Sequence, residues 1–78
     1  MQDATAYYKR GYHYIQNLLG LTLSEEVRKE DAIEEFTKAI EIDPYYAAAY
    51  FSRGLNLRDI GRKEDAIEDF TNAIAVDP

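Results

Sequence analysis

A period of 34 residues constrains this chain more than any other feature. The stretch from Arg28 to Pro44 reads RKEDAIEEFTKAIEIDP, and it recurs 34 positions later, from Arg62 to Pro78, with thirteen of seventeen residues identical. Self-similarity at such a period marks stacked supersecondary units, each too small to bury its own apolar face alone. A shorter correspondence pairs Ala6–Gly11 (AYYKRG) with Ala49–Gly54 (AYFSRG), but at an offset of 43. The first copy therefore carries nine more residues between its two halves than the second.

Each half reads as a helix. Ala32, Ile33, Phe36, Ala39 and Ile40 lie on one face of a 3.6-residue period, and Ala66, Ile67, Phe70, Ala73 and Ile74 repeat that stripe. Asp43 and Asp77 each precede a proline, which disfavours the helical region for them and ends both segments. Four helices are predicted. In the first helix of the second copy, Tyr50, Gly54 and Leu57 form one stripe, and Phe51 and Leu55 form another about 100° away. The first copy matches with Tyr7, Gly11, Tyr14 and Leu18 on one stripe and Tyr8, Tyr12, Ile15 and Leu19 on the other. These helices each have two surfaces to cover.

A glycine inside a helix costs roughly 1 kcal/mol relative to alanine, so Gly11 and Gly54 imply a second helix packed against bare backbone. Ala32, Ala39, Ala66 and Ala73 are the small residues available to meet them. The first helix is expected to run to about Leu19 and stop at Gly20. The extra residues lie within Gly20 to Val27, where Thr22 and Glu25 have capping-box spacing and would start the next helix near Leu23. The alternative is a loop over the same residues.

The pattern resembles the tetratricopeptide repeat, a helix-turn-helix unit, across essentially the whole chain. Tyr50, Gly54, Leu57, Ala66, Phe70, Ala73 and Pro78 occupy the family's signature positions in the second copy, and Tyr7, Gly11, Tyr14, Ala32, Phe36, Ala39 and Pro44 in the first. Two departures stand out: Arg10 and Arg53 replace a common leucine, and Tyr45-Tyr46 replace polar residues at the turn between repeats. The resemblance implies an all-α fold, a right-handed α-α superhelix of two antiparallel hairpins forming a single domain over residues 1–78. Repeat 1 would span 4–44, with the insertion near 20–27, and repeat 2 would span 47–78.

Little in the composition supports catalysis. The chain has no cysteine, and His13 has no carboxylate three or four residues away to share a metal or orient its ring, so a polar surface role is expected. The acidic pairs Glu30/Glu34, Asp31/Glu35, Glu64/Glu68 and Asp65/Asp69 are expected to flank the apolar stripe near helix N-termini, where carboxylates favour the dipole. Gly11, Gly20, Gly54 and Gly61 stand singly, without a phosphate-cradling pattern. Of the seven tyrosines, Tyr7, Tyr14 and Tyr50 are read as core. No enzyme activity and no cofactor are expected. Fifteen acidic against nine basic side chains give a charge of −6, which argues against nucleic acid and anionic membranes. The longest apolar run, Tyr45 to Phe51, is too short to cross a bilayer, and the N-terminal residues lack a secretory pattern, so the cytoplasm is the default compartment.

The resemblance points instead to protein recognition by the first helices, which line the concave groove in the family. The groove positions are Thr5, Tyr8, Lys9, Tyr12, Ile15 and Gln16, then Ala48, Phe51, Ser52, Leu55, Arg58 and Asp59. This surface is apolar with basic edges, because these helices carry Lys9, Arg10, Arg53 and Arg58 against Asp3 and Asp59. The partner implied is a peptide or helix of another protein with large apolar side chains and some acidic groups. Tyr8, Tyr12 and Ser52 stand where a family variant keeps lysine and asparagine for a C-terminal carboxylate, so that mode is not expected. The last helix should leave Ile67, Phe70, Ile74 and Val76 partly uncovered, where a further repeat would pack. The chain is then either part of a longer repeat array or completed by another copy. A self-associating scaffold is thus the alternative function.

Overall fold

The structure is a computed structural model that describes residues 3–16 and 25–77. Four helices follow one another: α1 (Ala4–Gln16), α2 (Glu25–Ile42), α3 (Ala47–Asp59) and α4 (Lys63–Val76). No strand occurs among the described residues. The expected end of the first helix at Leu19, the stop at Gly20 and a start near Leu23 lie outside them. The helices form a slab with extents of 37 × 33 × 16 Å.

Local chemistry sets the helix ends. At α1 the Asp3 carboxylate accepts the Ala6 N–H at 2.9 Å, capping an orphan donor of the first turn. At the end of α2 the Asp43 N–H still donates to the Ala39 carbonyl at 2.9 Å, and Pro44 blocks continuation. The Asp43 carboxylate then accepts the Tyr45 N–H at 3.0 Å and its carbonyl the Tyr46 N–H at 3.1 Å, which turns the chain into α3. Between α3 and α4, Gly61 has φ of +89°, and the Arg62 and Gly61 N–H groups donate to the Leu57 and Arg58 carbonyls at 2.8 and 3.1 Å. This is a Schellman ending, and its left-handed residue is the one glycine can supply without strain.

The helices pair as antiparallel hairpins, α1 on α2 and α3 on α4, and the hairpins join through α2 and α3. In each hairpin a phenylalanine ring sits on the glycine of the facing helix. A Cβ on Gly11 would lie 2.8 Å from Phe36 Cε1, and one on Gly54 2.6 Å from Phe70 Cε1. Close approach was foreseen, but the partner is an aromatic ring rather than the facing alanines. Ala32, Ala39, Ala66 and Ala73 are nevertheless buried. Tyr7, Tyr14 and Tyr50, read as core from the sequence, are only half-buried. Cations cover two of the rings: Arg10 and Lys38 lie over the Tyr7 ring, 5.3 and 5.8 Å from its centre, and Arg53 over Tyr50 at 5.8 Å.

The junction between hairpins is built from small residues and tyrosines. Ala4, Ala39 and Ala49 are buried together, with Tyr7, Tyr8, Ile40 and Tyr46 packed around them. Tyr8 stacks between Phe36 and Tyr46, at ring distances of 5.5 and 5.2 Å, and its hydroxyl lies 3.3 Å from Ser52 Oγ. Lys29, near the start of α2, donates to Asp59 at the end of α3 at 2.8 Å and pins the far end.

Candidate protein-binding site

Of the two arginines that break the repeat pattern, Arg53 bridges the junction. Arg53 makes a two-pronged ion pair with Asp69 of α4, with both N–O distances 2.7 Å, and its third nitrogen donates to Thr37 Oγ1 of α2 at 3.1 Å. Asp69 is 3% exposed and Glu35 also buried, so the pairs Asp65/Asp69 and Asp31/Glu35, expected to flank the apolar stripe, each have one member in the interior. The hydrogen bonds Arg53 donates to Asp69 raise its pKa against the opposing effect of burial, which keeps the guanidinium charged. Arg10 and Glu35 hold the equivalent places in the first hairpin. There the approach is looser, at 3.8 Å, and the buried Glu35 Oε2 has no hydrogen bond. The signal was present in the sequence: both copies exchange leucine for arginine, and both place a carboxylate at the matching position of the facing helix.

The apolar groove positions divide between two surfaces. Tyr8 and Ser52 are half-buried in the junction between hairpins. Thr5, Lys9 and Tyr12 are exposed on α1, where Tyr8, Lys9, Tyr12 and His13 border a shallow hollow. The side chains of Ile15 and Gln16 lie outside the described part. On α3, Ala48, Phe51, Leu55 and Arg58 line a larger hollow of about 690 Å³ together with Phe70 and Ile74 of α4. A third of the groove set and half of the self-association set therefore share one site. Ile67 is exposed and Val76 half-buried, and neither lines this hollow. Ala47, Ala73 and Asp77 complete it, and sequence reading had not singled them out for the site.

Seven of the nine lining residues are apolar, and the two charged ones, Arg58 and Asp77, sit at opposite ends because α3 and α4 run antiparallel. The Phe51 and Phe70 rings lie 5.7 Å apart, with Phe51 52% and Ile74 66% exposed. A small-molecule pocket needs a few convergent polar groups. Here the two charges are separated by most of the length of α3, roughly 16 Å at 1.5 Å per residue. The shape suits the side of a helix.

Basic character at this face is lower than the sequence suggests. Arg53 is engaged with Asp69 and Thr37, and Arg58 donates to Asp59 at 3.1 and 3.2 Å. Asp59 also takes Lys29, and this hydrogen bond, ahead of the one from Arg58, holds its carboxyl below the usual carboxylate range. Asp59 thus belongs to the pin between α2 and α3. Among the described residues no group of three or more His, Cys, Asp or Glu could hold a metal ion. No helix of the described residues is long and apolar enough to cross a membrane.

Helical hairpins with a glycine seating the phenylalanine of the facing helix, stacked by an α2/α3 junction, define a helical-repeat protein. Residues 13–46 and residues 47–78 each match the tetratricopeptide repeat, and the chain belongs to that family. Tetratricopeptide repeats generally mediate protein–protein interaction and are typically noncatalytic. No curated protein matches the chain.

Proposed function

We propose that the chain is a noncatalytic protein-interaction module that takes the side of a partner helix in the hollow between α3 and α4. One observation carries this reading. The hollow is the counterpart, 34 residues on, of the surface in the first hairpin that already carries a helix. Phe36, Ala39 and Ile40 lie at the junction with α3, whereas Phe70, Ala73 and Ile74 line an open hollow in which Ile74 is exposed. The partner is therefore a helix with small side chains on one face, able to approach as closely as Ala49 does. Its favoured direction follows from the charges. Asp77 faces the positive end of a helix dipole and Arg58 the negative end, so the partner starts at Asp77 and ends at Arg58. An acidic side chain in its last turn gains from Arg58, in keeping with an apolar and acidic partner. The exposed Lys9 and Tyr12 on α1 extend the contact for a longer segment along the groove face.

Display selection of helical peptides against the 78-residue chain tests this. Selected peptides should carry Ala-sized residues at helical spacing and lose at least about tenfold in affinity to Ile74→Asp or Phe51→Asp, both surface changes that leave the helices intact. Peptides that bind both variants as tightly as the parent chain would overturn the assignment of the hollow.

A further inference from the structure

We propose that the helix received by this hollow is α1 of a second copy of the same chain, stacked head to tail so that the junction between copies repeats the junction within one copy. This rests on reading the hollow as a protein-binding site, and it names the occupant. The internal junction supplies the template. Shifting α2 by 34 residues gives α4, and shifting α3 back by 43 gives α1, so every residue of the α2/α3 contact has a counterpart on an outer face.

The counterparts fit. Ala49, buried against Ala39, becomes Ala6, which is half-buried on α1 and would face Ala73. Leu57 becomes Tyr14, and the buried Asn56 becomes the exposed His13. On the receiving side, Ile67 and Ile74 are 63% and 66% exposed, whereas Ile33 and Ile40 are half-covered in the first hairpin.

A polar contact is also prepared on both outer faces. Within the chain, Arg53 links Asp69 to Thr37, whose hydroxyl is fixed by donating to the Ile33 carbonyl at 2.8 Å. Thr71 is fixed the same way on the Ile67 carbonyl, also at 2.8 Å, and its oxygen is open to receive a donor. Arg10 is the matching arginine. It stands 3.8 Å from Glu35 Oε2, a buried oxygen without a hydrogen bond. A copy laid against α1 would bring Thr71 to Arg10 as Thr37 is brought to Arg53, close the site to water and draw Arg10 onto Glu35. Buried polar atoms are rarely left unbonded in a complete interface.

The net charges of the two helices agree with this pairing, although Asp3 comes to the Asp77 end and no acid of α1 meets Arg58. Lys9 and Arg10 are the charged side chains of α1, which has no acidic one, whereas α4 has Glu64, Asp65, Glu68 and Asp69 against Lys63. Two internal contacts are not reproduced: Asp3 stands in place of Tyr46, and Gln16 in place of Asp59. The contact between copies is therefore weaker than the one within, and it is reversible. Because the donor and acceptor faces differ, the contact is heterologous, and because it repeats the stacking step between the two hairpins, copies add in open succession.

Sedimentation of the 78-residue chain from about 10 μM to about 1 mM tests this. The average mass should climb continuously past that of a dimer. Ile74→Asp, which blocks the receiving face, and Ala6→Arg, which blocks the entering face, should each abolish the rise. An equimolar mixture of the two variants retains one good face of each kind and should form a 1:1 dimer and nothing larger. Should Ala6→Arg lose helicity by circular dichroism, His13→Glu at an exposed position takes its place. A chain that stays at 9 kDa throughout overturns the second copy as occupant. So does a dimer that persists in Ala6→Arg, which is the signature of a symmetric contact. If the chain stays monomeric and the displayed helices still bind in an Ile74-dependent way, the protein-binding reading survives alone. If both fail, the hollow binds neither.

Discussion

Replacing the two seated glycines by alanine should have unequal effects, and in the opposite order to the raw distances. Both positions are helical, so alanine brings an intrinsic gain of about 1 kcal/mol at each. Against it stands the contact with the ring: the new Cβ would be 2.8 and 2.9 Å from the nearest Phe36 carbons at Gly11, and 2.6 and 2.9 Å from those of Phe70 at Gly54. Carbon atoms rest about 3.5–4.0 Å apart, so each ring must withdraw by roughly 1 Å. Phe36 is fully buried, with Tyr8 stacked against it, and it has nowhere to go. Overpacking of that kind costs about 1–3 kcal/mol, which leaves Gly11→Ala destabilising by up to about 2 kcal/mol. Phe70 borders the open hollow and can swing outward, loosening only its contact with Phe51. Gly54→Ala should therefore fall within about 0.5 kcal/mol of the parent despite the shorter distance. Urea unfolding followed by far-UV circular dichroism at low micromolar concentration, below any association, gives both values. Equal losses at the two sites, or a Gly11→Ala chain stabilised by the full helical gain, would refute the claim that freedom of the ring decides the outcome.

Two further measurements address the charged groups. Asp69→Ala leaves the part-buried Arg53 guanidinium without its carboxylate and should cost about 2–4 kcal/mol, whereas Arg53→Leu combined with Asp69→Ala should recover most of that loss; chemical denaturation of the single and double variants checks it. The depressed Asp59 carboxyl contributes stability that is fully present above about pH 4, the ordinary carboxylate value, and is lost as the pH falls through its lower folded value. Asp59→Asn should therefore be less stable than the parent at neutral pH, by no more than about 1 kcal/mol for so exposed a pair, and should converge with it in acid. Acid-dependent thermal melts of the two chains would show parallel curves if the Lys29 bond contributes nothing.

Much of the architecture was legible because a repeat states its own contacts twice. The stripe through Phe36 and its copy through Phe70, the prolines after Asp43 and Asp77, and the two helix glycines specify helices, ends and facing partners by local chemistry. The site was legible in part. Phe51, Leu55 and Arg58 were placed on a binding face and Ile74 on an uncovered one, but nothing in the linear pattern said that these surfaces meet. Tyr8 looked equally available and is instead held by Phe36, Tyr46 and Ser52. Arg53 and Arg58 counted as basic edges until the structure turned them onto Asp69 and Asp59.

By itself the sequence determined that two like hairpins form, and which residues of each helix face its partner, since helical period, breakers and repeat spacing are properties of the chain read a few residues at a time. What only the tertiary structure decided is how two nearly identical stretches come to differ. Phe36 is sealed and Phe70 opens on a hollow, Ile40 is half-covered and Ile74 bare, although their local sequences match. Burial belongs to the neighbour rather than to the residue, so the same side chain is core beneath α3 and binding surface one repeat further on.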